Sequence, residues 1–163
     1  MISVRAATAA DVPAITEIYN EAILTTDATF DSEPKSVASQ EQWFAGHDAR
    51  HPILVAERDG KVVGWASLSA WSDRCAYADT AEISVYLKSE HRGQGIGKVL
   101  MTVIMQRGAE AGLHSVIARI TEGNEASVRL HRRAGFEDIG VMREVGVKFG
   151  RLLDARMMQR IYR

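Results

Sequence analysis

A single cysteine, Cys75, stands among the 163 residues, and the charges nearly cancel. One cysteine excludes a disulfide framework within the chain and is typical of a reducing compartment. The 20 basic and 21 acidic residues leave a net charge of −1. Without an excess of either sign, the composition argues against nucleic acid or an anionic membrane surface as a partner.

Long apolar runs are also missing. No segment approaches the ~20 apolar residues of a membrane-spanning helix, and Met1 to Ala10 lacks the apolar stretch of a signal peptide. We therefore expect a cytoplasmic protein with no membrane partner. The chain has no repeat, low-complexity segment or linker, and its length suits one domain, residues 1–163, with its own core.

Apolar periodicity and turn residues predict about four helices and seven strands. Asp59-Gly60 between two apolar runs is a strong two-residue hairpin signal, and apolar residues at 96, 99, 100, 103 and 104 predict an amphipathic helix. A central hairpin precedes two strand–helix units, so the pattern favours an α/β fold with a mixed sheet over a strict βαβ repeat. Strands are predicted at 2–5, 53–56, 62–68, 82–87, 116–120, 136–144 and 152–161, with helices capped by Thr8, Ser36 and Asn124 and one beginning near Gly95.

A glycine-rich loop, Arg92 to Lys98, joins the strand Glu82–Leu87 to the third helix. Such a junction aims backbone N–H groups and the positive end of a helix dipole at one point, which makes an anion site. Three residues, not four, separate Gly93 from Gly97, and Val99 replaces the hydroxyl residue of a P-loop. The alternating glycines do not match the dinucleotide fingerprint either. Two interpretations of the loop stay open: a site where successive N–H groups hold a pyrophosphate, and a tight turn that binds no ligand.

These residues match a known family. The run Arg92-Gly93-Gln94-Gly95-Ile96-Gly97 is similar to the acetyl-CoA signature of the GNAT acetyltransferase superfamily, and Asn124 with Leu130-His131-x-x-Ala134-Gly135-Phe136 resembles its second cofactor element. Over nearly the whole chain, the sequence resembles the phosphinothricin and methionine sulfone/sulfoximine N-acetyltransferases. The matching segments are Tyr19-Asn20, Ala28-Thr29-Phe30, Trp43-Phe44, Ala81 to Tyr86, and Val145 to Gly150 with Asp154.

The resemblance implies acetyl-CoA as co-substrate and no metal. Backbone amides from Gly93 through Lys98 would hold its pyrophosphate, and Val85 to Leu87, on a strand splayed from its neighbour, would pair with the pantetheine arm. A backbone N–H near Val85 would polarise the thioester carbonyl. Two alternatives to cofactor binding stay open: Asn124 only caps its helix, and Arg133 only faces solvent. The implied cofactor-binding residues are Val85, Tyr86, Leu87, Arg92, Gly93, Gln94, Gly95, Ile96, Gly97, Lys98, Asn124 and Arg133.

Transfer to an amine needs a base, because only the free amine attacks a thioester and amines titrate at ~8 to ~10. In the resembling subfamily the residue that matches Glu82 has this role, directly or through one water; a surface-facing strand glutamate is the alternative. His131 stands where many GNAT enzymes have the tyrosine that protonates the departing thiolate. We predict that His131 donates or relays that proton, the alternatives being a helix residue bonded to backbone and a contribution from Tyr86. Cys75 is expected to be a bystander.

The resemblance places the substrate site around the start of the same strand. Arg74 would bind a carboxylate or phosphinate of the substrate, since arginine binds oxyanions through two donors. Phe30, Trp71 and Tyr77 are predicted apolar walls, with packing over the core as the alternative for Phe30. The implied substrate-binding residues are Ser72, Asp73, Arg74, Glu82, Ile83 and Ser84.

Together these matches imply acetyl-CoA-dependent N-acetylation of the α-amino group of a small amino acid analogue, by direct transfer in a ternary complex. Phosphinothricin, methionine sulfone and methionine sulfoximine are the implied substrates, so the activity would detoxify a herbicide or antimetabolite. The resemblance also implies a homodimer in which Lys148 to Gly150 complete the partner's site. Two alternatives stay open: acetylation of a polyamine, aminoglycoside or protein N-terminus, and a non-catalytic acetyl-CoA-binding module. Glu82 argues against the module, because a pure binder needs only the glycine loop.

Overall fold

The computed structural model describes residues 1–163 and contains seven strands and four α-helices. None of the helices combines the length and the apolar character that crossing a bilayer requires. In chain order the elements are β1 (Ile2–Ala6), α1 (Val12–Thr25), α2 (Val37–Ala45), β2 (Ile53–Arg58), β3 (Lys61–Ala70), β4 (Thr80–Leu87), α3 (Ile96–Glu110), β5 (Ser115–Thr121), α4 (Glu125–Arg133), β6 (Glu137–Lys148) and β7 (Arg151–Ile161).

All seven strands form one sheet in the order β1-β2-β3-β4-β5-β7-β6. Every neighbouring pair is antiparallel except β4 and β5, which are parallel. The β4–β5 ladder covers only Thr80–Glu82 against Ser115–Ile117, whereas β4 stays paired with β3 as far as Leu87. The predicted mixed, mostly antiparallel α/β sheet is therefore confirmed, and so is its splay beside the strand that carries Glu82.

Local turn chemistry explains the central hairpin and the start of α2. Asp59 and Gly60 have φ of 53° and 75°, the left-handed pair that a two-residue type I′ turn requires, so the predicted hairpin between β2 and β3 is confirmed. Ser36 caps α2 as predicted, because its Oγ accepts a hydrogen bond from the Ser39 N–H at 3.0 Å.

The predicted Thr8 cap belongs to a 3₁₀ turn and not to α1. The Thr8 N–H donates to the Asp11 carboxylate at 2.8 Å, and Arg5 donates two hydrogen bonds to the same carboxylate, at 2.7 and 2.8 Å. These contacts fix a single turn at residues 9–11, and α1 begins one residue later, at Val12.

Helix α3 packs on one face of the sheet and α1 with α2 on the other. The buried stripe of α3 contains Leu100, Met101 and Ile104, so Val99, which was predicted to share it, lies on the flank and is exposed. Gly108 lets α3 approach closely, because a Cβ there would lie 2.8 Å from the Leu68 side chain. This close contact holds the last turn of α3 against β3.

The hairpin β6–β7 ends the chain and leaves β6 as an edge strand. β6 extends to Lys148, four residues beyond its predicted end, across a bulge between Met142 and Gly146. A row of apolar side chains on this hairpin faces solvent. It consists of Ile139, Val141, Met142, Val145, Val147, Phe149 and Leu152.

Candidate active site

A cavity of about 1080 Å³ opens where β4 and β5 separate. Its walls come from β4, the glycine loop, the first turns of α3, helix α4 and the loop 26–31. The two ends of the predicted site therefore face one continuous space. The predicted residues that line it are Glu82, Ile83, Ser84, Val85, Tyr86, Leu87, Arg92, Gly93, Gly95, Gly97, Lys98, Asn124, His131 and Arg133.

The glycine loop turns through two left-handed positions, with φ of 74° at Gly93 and 82° at Gly95. Space is open around both residues, so backbone conformation and not crowding selects glycine here. None of the backbone N–H groups from Gly93 to Lys98 donates a hydrogen bond within the chain, and Gly95 is the N-cap of α3. These unpaired donors lie at the positive end of a 15-residue helix, which gives the loop the donor set and the field of an anion site.

Two predicted loop residues turn their side chains away from the cavity. The Gln94 amide is hydrogen-bonded to Arg58 and donates to the Glu90 carbonyl at 3.1 Å. Ile96 is fully buried in the core. Only the backbone N–H groups of these two residues can therefore contact a ligand.

Four basic side chains bring positive charge to the same end of the cavity: Arg92, Lys98, Arg129 and Arg133. Arg129 was missed in the sequence, although it lies one helical turn before Arg133 and residues at i and i+4 share a helix face. Arginine forks and ammonium groups bind the oxygens of phosphate and carboxylate groups. The basic face of α4 thus extends the anion site beyond the loop.

Glu82 lies at the other end of β4, on the last residue pair of the ladder with β5. Its carboxylate accepts two hydrogen bonds from Arg119, from Nε at 2.6 Å and from Nη2 at 2.7 Å. The Arg119 guanidinium also lies 5.4 Å from the centre of the Trp71 ring, and the neighbouring carboxylate raises the pKa of Arg119. Arg119 lines the cavity and was not predicted; its one signal was a charge inside the apolar run Val116–Ile120.

His131 lies buried on the wall formed by α4. Its Nδ1 lies 2.8 Å from the Ser127 carbonyl oxygen, so Nδ1 carries the hydrogen and donates it. Phe136 packs edge-on at 5.1 Å between ring centres, and burial lowers the pKa of the His131 imidazole. The ring is therefore neutral near pH 7, with its lone pair on Nε2. Asn124 caps the same helix, since its Oδ1 accepts from the Ser127 N–H at 3.2 Å.

Two tyrosines stand beside β4. Tyr86 lies next to Tyr19, with ring centres 5.1 Å apart, and both line the cavity. The Tyr19 hydroxyl donates to the Asp31 carboxylate and lies 3.0 Å from the Thr29 hydroxyl. Burial raises the pKa of both phenols, that of Tyr86 to about 12. Both hydroxyls therefore keep their protons at neutral pH.

The loop predicted to bind substrate lies outside the cavity. Ser72, Asp73 and Arg74 do not line it, and the Arg74 N–H is bonded to the Ser72 hydroxyl at 3.2 Å in a local turn. Trp71 and Tyr77 do not line it either, although the Trp71 ring lies beside the Arg119 guanidinium. Within one chain, the cation nearest to Glu82 is thus Arg119 and not Arg74.

Phe30 lines the cavity and also packs on β6, because a Cβ at Gly146 would lie 2.7 Å from its ring. Lys148 is buried, and its ammonium donates to the Thr29 carbonyl at 2.8 Å. Burial lowers the pKa of Lys148. The two contacts tie the edge hairpin to the loop that roofs the cavity, and the Lys148 ammonium is already engaged within its own chain.

Comparison with known proteins agrees with this architecture. A sequence profile of the Acetyltransferase (GNAT) family matches residues 14–136. The chain is 43% identical over 162 residues to the L-methionine sulfoximine/L-methionine sulfone acetyltransferase of Pseudomonas paraeruginosa, an alignment that covers 96% of this chain and 92% of the relative.

Solved structures give the same result. A phosphinothricin acetyltransferase from Sinorhizobium meliloti in complex with acetyl-CoA is 40% identical with a TM-score of 0.95, covering 98% of this chain and 88% of that one. The ribosomal-protein-alanine N-acetyltransferase of Brucella melitensis is also 40% identical with a TM-score of 0.95, covering 98% and 99%. A family profile that matches residues 14–136 and a relative 43% identical over nearly its full length establish that this chain belongs to the GNAT acetyltransferase family.

Proposed function

We propose that the protein transfers the acetyl group of acetyl-CoA to the α-amino group of a small amino acid analogue of the methionine sulfone, methionine sulfoximine or phosphinothricin type. One observation carries the proposal: a single cavity joins an anion site at the glycine loop to a carboxylate, Glu82, at the far end of β4. The named activities of the Pseudomonas and Sinorhizobium relatives support it.

The residues present fit acetyl-CoA. Unpaired N–H groups from Gly93 to Lys98 and the basic side chains of Arg92, Arg129 and Arg133 suit its phosphates. The edge of β4 beyond Glu82 has no partner strand and can accept an extended arm by backbone hydrogen bonding. Once bound, acetyl-CoA supplies the acetyl thioester that the amine attacks.

We assign proton removal to Glu82. An α-ammonium group must lose one proton before its nitrogen can attack, and Glu82 accepts that proton directly or through a water. The second nitrogen proton leaves as the amide forms, and one proton goes to the departing thiolate. Because both Glu82 oxygens accept from Arg119, this base must share its lone pairs with a neighbouring cation.

We propose that the proton for the departing thiolate passes through His131 and is not held on the His131 ring beforehand. A neutral ring whose Nδ1–H is bound to the Ser127 carbonyl has an acceptor at Nε2 and no spare proton. Tyr86, whose burial raises the pKa of its hydroxyl to about 12, keeps a proton available beside the same cavity. Tyr86→Phe separates the role of Tyr86 from that of His131, because it removes the hydroxyl donor and keeps the ring that packs on Trp65.

We also propose that the protein is a homodimer, associated through the apolar face of the β6–β7 hairpin. Val147, on the edge strand β6, is 69% exposed, and its neighbour Leu152 on β7 is 58% exposed. Apolar side chains exposed at a sheet edge favour pairing with another chain. Lys148 is bonded to its own chain, so Phe149 and Gly150 are the residues left to reach a partner's site.

A second candidate is acetylation of a protein N-terminus, because the Brucella relative is named a ribosomal-protein-alanine N-acetyltransferase. Release of the CoA thiol, measured with methionine sulfone, phosphinothricin, spermidine, a lysine peptide and a peptide with N-terminal alanine, separates the candidates. We expect the first two to give the highest kcat/KM. Highest turnover with the alanine peptide would favour the second candidate, and no turnover with any amine would leave a binding module.

A further inference from the structure

The Glu82–Arg119 ion pair contributes little to holding the fold together. The Arg119 side chain is 52% exposed and that of Glu82 23% exposed, and an ion pair this accessible to water contributes little to folding. Its geometry is nevertheless fixed by two short hydrogen bonds and by the Trp71 ring beside the guanidinium. A fixed and accessible pair of opposite charges in the wall of a substrate cavity is suited to recognition.

Arg119 keeps unused donors. A guanidinium has five N–H donors, and Glu82 takes one from Nε and one from Nη2. The Nη1 atom has no partner in the chain, and the side chain lines the cavity. An oxyanion in the cavity can therefore bind Arg119 while the arginine still contacts Glu82.

An α-amino acid carries the complementary pair of charges. Its ammonium nitrogen and carboxyl carbon are about 2.5 Å apart, because one carbon separates them. Glu82 and Arg119 are also in direct contact, at 2.6 and 2.7 Å, so the two charges of one substrate molecule can lie beside the two charges of the pair. Placed antiparallel to the ion pair, the substrate's ammonium faces Glu82 and its carboxylate faces Arg119.

We propose that Arg119 binds the α-carboxylate of the substrate, and that the Glu82–Arg119 pair selects zwitterionic α-amino acids over amines that lack a carboxylate. The inference rests on the proposed function, since it names the residue that gives this acetyltransferase its substrate class. Arg74, which the sequence suggested for this contact, is exposed and does not line the cavity.

The same contact explains how a paired carboxylate can act as a base. A substrate carboxylate draws guanidinium hydrogen bonds toward itself, which returns lone pairs on Glu82 to the ammonium. The proton passes from the ammonium nitrogen to a Glu82 oxygen and from there to solvent. A simple amine has no such group and must compete with Arg119 for Glu82.

The test compares methionine sulfone with its carboxamide, which keeps the amine and lacks the carboxylate. Thiol release is measured for wild type, Arg119→Gln, Arg119→Lys and Arg74→Gln, with Arg107→Gln as a matched control at an exposed position of α3 outside the cavity. Arg119→Gln should raise KM for the acid about tenfold to hundredfold, as expected for a lost hydrogen bond to a charged group. KM for the carboxamide should hardly change, Arg119→Lys should restore part of the preference, and Arg107→Gln should behave as wild type.

Other outcomes overturn the proposal. Arg119→Gln with an undiminished preference for the acid refutes it, and so does loss of that preference in Arg74→Gln alone. Equal losses for acid and carboxamide would make Arg119 a positioning residue for Glu82 only. If wild type releases no thiol with either compound, the proposed function fails; calorimetric binding of methionine sulfone to wild type and Arg119→Gln in the presence of CoA then tests Arg119 without turnover.

Discussion

Replacing Glu82 by glutamine removes the proposed base while keeping the size and shape of the side chain. The amide has one acceptor oxygen in place of two carboxylate oxygens, so Arg119 loses its charged partner. General-base catalysis contributes roughly 10²- to 10⁴-fold to a rate, which corresponds to about 3 to 5 kcal/mol of activation free energy. We therefore expect kcat for methionine sulfone to fall by that factor.

Binding of acetyl-CoA and folding should change little in the same variant. Glu82 lies about 17 Å along β4 from Leu87, at 3.3 Å per residue, and the loop with the unpaired N–H groups lies farther still. The ion pair that is lost is accessible to solvent and contributes at most about 1 kcal/mol, so Tm should fall by no more than about 4 °C. Calorimetric titration with acetyl-CoA and a thermal melt check both values.

The control is Glu41→Gln, because Glu41 is exposed on α2 and lies outside the cavity. Glu82→Asp is the informative partner, since it keeps the carboxylate but withdraws it by one methylene, and it should retain more activity than the amide. Unchanged turnover in Glu82→Gln would remove Glu82 as the base. A matching loss of acetyl-CoA affinity would instead indicate a disturbed cavity and refute the separation of the two ends.

Three further perturbations test other parts of the molecule. Gly95→Ala places a side chain at a φ of 82°, which costs about 1 to 2 kcal/mol. Both the Tm and the rise in Tm caused by acetyl-CoA should therefore decrease. The control Gly140→Ala, at a position with open space and no positive φ, should change neither. Val147→Glu should convert the proposed dimer to monomer by analytical ultracentrifugation, and an unchanged mass would move the interface elsewhere. Burial lowers the pKa of His131 and His47, so below pH ~6.5 the unfolded chain binds more protons than the folded one. The free energy of unfolding must therefore fall as pH drops through that value, by at most about 1.4 kcal/mol per pH unit for each histidine. In urea melts between pH 7 and pH 5, His47→Gln should lose less stability than wild type, and an identical loss would contradict the assignment.

The sequence predicted best what depends on a few neighbouring residues. Asp59-Gly60 and the glycine loop require left-handed backbone, and the structure has positive φ at Gly60, Gly93 and Gly95. The amphipathic pattern of α3 was predictable because it also depends on neighbouring residues. Val99 is nevertheless exposed, so the pattern located the buried face of the helix only to within one residue. Family resemblance then assigned chemistry to β4, which periodicity alone could not do.

Contacts between distant segments were less predictable. The loop Ser72–Arg74 was expected to line the site, but a local turn holds it outside the cavity. The Lys148 contact with Thr29 joins residues 119 positions apart, and no local pattern indicates it. Arg119 was not predicted because only the parallel pairing of β4 and β5 brings it beside Glu82, and α3 separates these two strands in the sequence.

That register also decides what Arg119 can do. Glu82 pairs with Ile117 at the end of the ladder, so Arg119 starts two residues, or about 6.6 Å, beyond the last pair on the same sheet face. An arginine is long enough to reach back across that distance and still present free donors to the gap between the strands. A slip of one residue would turn its charge into the α3 core, where Val116, Ala118 and Ile120 are buried. The splay that exposes the β4 edge to a cofactor therefore also places a cation beside Glu82, at the point where the strands begin to separate.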